Sequence, residues 1–217
     1  YTYEPTISIN NRYTGVGNIA YNYAKKVIYT SSLDNGNIYA VDSETGASVG
    51  DPFDHLPSVA DNPGLAVTDI RRVVVGIGWN PRDNRLYFAR VDNDGFTNYT
   101  SIIYRYTHSE VVSVGLNSDG SINQADTRQE MRVPVTKLLG DALQYSIISD
   151  IEFTSDGMVA LLGEMSIGGD LFRYVNTEYR FIKGSHNAIA REYRLNTETM
   201  AWDLNTDYHV AATYSGY

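Results

Sequence analysis

Polar and apolar positions alternate with a period of two through much of the chain, and turn residues break the alternation at short intervals. That pattern predicts half-buried β-strands joined by tight turns. The clearest stretch is Ile77-Gly78-Trp79-Asn80-Pro81-Arg82-Asp83-Asn84-Arg85-Leu86-Tyr87, a strand, a turn and a second strand. Proline presets φ in the turn, while Asp and Asn accept left-handed backbone and bond to neighbouring amides. The same phrase occurs earlier as Ile19-Ala20-Tyr21-Asn22-Tyr23-Ala24-Lys25-Lys26-Val27-Ile28-Tyr29 and later as Ile151-Glu152-Phe153-Thr154-Ser155-Asp156-Gly157-Met158-Val159-Ala160-Leu161. Each copy has an isoleucine, an aromatic two residues on (Tyr21, Trp79, Phe153) and a large residue ten on (Tyr29, Tyr87, Leu161).

These copies organise one domain over residues 1–217 into units of about 17–53, 73–123 and 149–205. In the first unit a hairpin-type turn, Asp34-Asn35-Gly36-Asn37, leads to a third strand over Ile38–Asp42. The corner Ser43-Glu44-Thr45-Gly46 then leads to a short fourth strand, Ala47-Ser48-Val49. The second unit adds strands at 102–106 and 111–114, and residues 54–72 before it form a long loop. The third closes on Tyr193–Met200, which matches Tyr39–Gly46 position for position in character, and carries an insert over 163–187. A last strand is expected near 208–214. Residues 124–143 have a faint helical look, with Pro134 placed to start a helix of no more than two turns.

Four strands joined in a meander are the grammar of a propeller blade. The expected fold is therefore all-β, a β-propeller-like array of four-stranded antiparallel units. Ile19, Ile77 and Ile151 lie 58 and 74 residues apart, longer than the roughly 40–50 of compact blades. Three units also fall short of the usual ring of about four to eight. Either the inserts supply strands for further blades, or the array is an incomplete ring.

The Ile-x-aromatic copies, together with Ile38-Tyr39-Ala40-Val41-Asp42-Ser43-Glu44-Thr45-Gly46, resemble a broad group of propeller-like domains of uncharacterised function. These stand beside adhesin and Ig-like repeats in large secreted or surface-anchored microbial proteins. The resemblance implies a blade architecture and an extracellular address. It implies no activity, because the matching residues are strand and turn residues.

Composition narrows the partners. A formal net charge of −9 argues against nucleic acid or an anionic membrane surface, both of which want a basic footprint. The chain has no cysteine, which excludes thiolate zinc sites, thiol catalysis and disulfides. No apolar run approaches the length of a membrane span, and the first residues carry no signal-peptide pattern; a chain starting without methionine reads as processed or trimmed from something longer. Tyrosine is abundant at 18 copies against 6 Phe and 2 Trp. That suits strand surfaces and faces that bind protein or carbohydrate.

Three candidate sites emerge. Asp92 and Asp94, in Asp92-Asn93-Asp94-Gly95, resemble the start of a calcium loop, though a polar hairpin turn explains them as well. Asp150 and Glu152 flank Ile151, so both carboxylates share one strand face. Such a pair serves as general acid and base when burial separates its pKa values, and otherwise is a solvated strand face. Phe172, Arg173, Tyr174, Tyr179 and Arg180 concentrate aromatic and guanidinium groups of the kind interfaces use as anchors. The four histidines, His55, His108, His186 and His209, are scattered without metal-ligand spacing and read as surface residues.

The leading expectation is a non-catalytic surface module for adhesion or assembly, binding protein or glycan, without a cofactor other than Ca2+ at the Asp92 loop. The alternatives are a polysaccharide hydrolase or lyase using Asp150 and Glu152, and a phage or virion receptor-binding domain.

Overall fold

The computed structural model describes residues 16–33, 35–58, 72–91, 108–134, 146–166, 172–175, 178–181 and 186–214. The described residues form antiparallel β-sheets and contain no α-helix. The first sheet is a meander of β1 (Val16–Asn22), β2 (Val27–Ser32) and β3 (Ile38–Asp42). Its expected fourth strand is reduced to two isolated bridges, Val41 to Ser48 and Ile38 to Phe53. The second sheet runs in chain order through β4 (Ile77–Asn80), β5 (Arg85–Val91), β6 (His108–Leu116) and β7 (Ile122–Pro134). The third begins with β8 (Ser146–Phe153) and β9 (Val159–Ser166). A separate hairpin of β10 (Phe172–Val175) and β11 (Glu178–Phe181) follows. The third sheet then resumes with β12 (His186–Asn196) and β13 (Ala201–Tyr214), in the order β8-β9-β12-β13.

Three expectations are corrected. Residues 124–134 are strand: β7 pairs with β6 from Ile122 to Pro134, and Pro134 ends that strand; the helix expected to start at Pro134 falls on 135–143, outside the described residues. The stretch is mostly polar because much of β7 is exposed on the sheet edge, which hides the two-residue period. Residues 111–114 therefore belong to the third strand of their sheet, and the fourth is β7. The tail over 208–214 is the continuation of β13 and not a strand of its own. Residues 102–106 lie outside the described residues.

The three large sheets stack face to face, with β4 lying between β1 and β8. Alternation along β5 divides the core in two. Leu86 and Phe88 face the first sheet and join Val27, Tyr29, Ile38 and Phe53. Tyr87 and Ala89 face the third and join Ile151, Leu162, Tyr193 and Trp202. The second sheet is thus buried on both faces. Close approach of the inner strands needs a small residue: a Cβ on Gly78 would stand 2.2 Å from the carbonyl oxygen of Ile151.

The repeated phrase packs against the preceding unit in the second and third units. Trp79 packs toward the first sheet and Phe153 toward the second, each against the unit before it. Tyr21 pairs with Ile28 on the side of β1 that faces away from the core. There Ile19 is 56% and Tyr21 49% exposed, whereas Ile77 and Ile151 are 1% and 0% exposed. One template gives two covered faces and one bare one.

The turns share chemistry as well. Asn22, Asp42, Asn80 and Asn196 each end a strand and accept backbone N–H bonds from the following turn. Four residues later Lys26, Gly46, Asn84 and Met200 adopt positive φ of 57°, 73°, 53° and 58°. The likeness read between Tyr39–Gly46 and Tyr193–Met200 is this turn.

Candidate functional site

Asp150 and Glu152 share a face of β8, as their spacing requires, since Ile151 between them is fully buried in the second core. Both are exposed. Asp150 Oδ1 accepts a 2.8 Å bond from Asn18 Nδ2, and the same amide donates to the Ser149 carbonyl at 3.1 Å. The first and third sheets are thereby tied across the inner strands. Partial burial, and then the neighbouring Asp150 charge, raise the Glu152 pKa above the usual carboxylate range. Glu152 sits immediately after the repeat isoleucine, where the other units have Ala20 and Gly78.

The other sequence candidates are placed as follows. Asp92 and Asp94 lie outside the described residues. Arg173 pairs with Arg180, Tyr174 with Tyr179 and Phe172 with Phe181 across the β10–β11 hairpin. The surface reading of the histidines fails for His55, which is 8% exposed beside Phe88. Its Nε2 donates to the Arg72 carbonyl at 3.0 Å, and desolvation lowers its pKa to about 4. Arg72, itself buried, bonds the carbonyls of Asn35 and Leu56 and pairs with Asp54. This knot fixes the chain between the first two sheets.

A cleft of about 350 Å³ opens between the second and third sheets. It is assembled from the β4–β5 turn (Asn80, Arg82, Asp83), Tyr87, the β7 run Arg128-Gln129-Glu130, and Leu195, Met200 and Trp202 around the β12–β13 turn. Its polar groups are held in place. Tyr87 donates to Asp83 Oδ2 at 2.8 Å, and burial followed by the charges of Asp83 and Glu130 raises the tyrosine pKa. Trp202 Nε1 comes near the same hydroxyl, an approach that favours the phenolate form, but it closes no hydrogen bond. Ser113 donates to Glu130 Oε1 and accepts from buried Arg85 Nε at 2.7 Å. Arg85 is anchored in turn by Asp126 Oδ2 at 2.6 Å. Arg82, Arg128 and Met200 are exposed.

Sequence reasoning missed this cleft. Asn80, Arg82, Asp83 and Tyr87 stand inside the repeated phrase, but nothing local shows that they meet residues 128–130 and 195–202 from two other segments.

No family model matches the chain, and no curated protein matches it. Among solved structures it is similar to the PQQ-bound aldose sugar dehydrogenase from Streptomyces coelicolor, with 13% identity, a TM-score of 0.44, and 91% of this chain against 48% of that one. It is also similar to a hypothetical selenium-binding protein from Sulfolobus tokodaii, with 9% identity, a TM-score of 0.41, and 92% against 56%. A luciferin-regenerating enzyme gives 10% identity, a TM-score of 0.33, and 94% against 61%. The chain therefore spans about half to three-fifths of the length of these proteins.

Proposed function

We propose that this chain is a non-catalytic, β-propeller-like assembly module of an extracellular microbial surface, which associates through the bare side of β1. The observation that carries this reading is the exposure of Ile19 and Tyr21, 56% and 49%. At the two internal joints the corresponding residues are covered by a neighbouring sheet. Burying apolar side chains of this size is worth about 1.5–3 kcal/mol each, so such a side gains from a partner surface. Val16, 42% exposed, adds to the apolar surface of the same strand.

The partner surface is the same side of a second copy. Head-to-tail propagation would set the outer face of the third sheet against it, and that face carries Glu152 where Ala20 and Gly78 meet the next strand. A carboxylate against Ile19 carries a desolvation cost that the internal joints avoid. Pairing β1 side to β1 side is isologous and closes at a dimer. The acidic composition and the sequence resemblance support the extracellular address.

The test uses the absence of native cysteine. Tyr21→Cys is expected to oxidise to a covalent dimer, while Glu198→Cys, on the exposed β12–β13 turn, stays monomeric. Equal cross-linking of the two variants, or none with Tyr21→Cys, would contradict the proposal.

A further inference from the structure

We infer that the cleft between the second and third sheets binds a neutral saccharide. The inference rests on that joint alone and not on the bare side of β1.

Charge balance decides the ligand class. Arg82 and Arg128 bring two positive groups to the lining, and Asp83 and Glu130 bring two negative ones. An anion entering the cleft meets both carboxylates, and a cation meets both guanidiniums. A ligand with many hydroxyls and no charge uses all four, because each hydroxyl donates to a carboxylate and accepts from a guanidinium. Gln129 adds an amide that does both.

The lining is also ordered before any ligand arrives. Tyr87 holds Asp83, and Ser113 holds Glu130 while Arg85 fixes Ser113. Each of these carboxylates keeps further lone pairs for a ligand, and preorganisation reduces the entropy lost on binding. Met200, 59% exposed, and Leu195 supply an apolar side on which the C–H face of a sugar ring can rest. A volume of about 350 Å³ lies at the lower end of small-molecule sites, roughly 300–1,000 Å³. That is enough for one or two sugar rings.

The experiment titrates the whole chain with glucose, galactose, N-acetylglucosamine, maltose, cellobiose and lactose, followed by saturation-transfer NMR and calorimetry. Glucuronate and glucosamine serve as charged comparators. At least one neutral sugar is expected to saturate the protein and to bind more tightly than either comparator. Arg82→Ala and Met200→Gly should each weaken that binding by about tenfold, the loss of one charge-assisted hydrogen bond or one apolar contact. Both side chains are exposed, and glycine relaxes the positive φ at Met200, so both variants retain the fold. Ile19→Asp should leave sugar affinity unchanged, which separates this inference from the assembly reading. Failure of every neutral sugar to bind, tighter binding of a charged comparator, or unchanged affinity in both cleft variants would overturn it.

Discussion

Asn80 Nδ2 donates a 3.2 Å hydrogen bond to the carbonyl of Gly157, 77 residues further along the chain. The same side chain accepts from the Arg82 amide through Oδ1. One buried asparagine therefore shapes its own turn and fastens it to the equivalent turn of the next unit. Asn22 does this more weakly, bonding Asn84 Oδ1 at 3.4 Å. In the third unit Thr154 occupies the position and, among the described residues, bonds within its own turn. Coupling between units runs forward twice and stops.

Asn80→Ala should destabilise the protein by about 1–3 kcal/mol, because a buried carbonyl loses its donor and the turn loses its cap. Asn22→Ala should cost less, since its cross-unit bond is longer and only partly buried. Urea unfolding of the two variants, compared at equal m-values, checks the order.

Gly78→Ala places a methyl group 2.2 Å from the Ile151 carbonyl oxygen, so β4 and β8 must move apart. Overpacking of this kind costs about 1–3 kcal/mol. The loss should appear as a lower thermal midpoint, together with faster amide exchange in β8.

Stability should fall as pH drops from about 6.5 to about 4. His55 is neutral when folded, with its pKa lowered to about 4 by burial, whereas an unfolded histidine titrates near 6.5. The unfolded state then binds more protons across that window, so its contribution is complete above pH 6.5 and is lost on acidification. The full effect is at most about 3 kcal/mol by linkage. His55→Gln should flatten the profile of unfolding free energy between pH 4 and 6.5; an unchanged slope would rule out His55 as its source.

Replacing Glu152 with Ala restores at the third sheet the small residue found at the internal joints. The variant should exchange the β1-to-β1 dimer for longer head-to-tail species, visible by light scattering at concentrations where the native chain forms only the dimer.

The repeat was legible because its information is local: period-two alternation fixes a strand, and Asn, Asp and Gly fix the turns. The bare side of β1 was not, because Ile19 looks identical in sequence to Ile77 and Ile151; only packing separates one exposed isoleucine from two buried ones. The strand over 124–134 was hidden because an exposed edge strand needs few apolar residues. His55 sits in a polar stretch, and nothing local announces that Arg72 and Phe88 will cover it. The cleft depends on three segments meeting, and pairing between distant segments leaves no trace in local composition.

Sedimentation velocity over a concentration series reads out pairing of the bare side of β1 with a second copy. The native chain is expected to pass from monomer to dimer, while Ile19→Asp remains monomeric with an unchanged thermal midpoint. A native chain that stays monomeric throughout the series, or an Ile19→Asp variant that dimerises equally well, would contradict it.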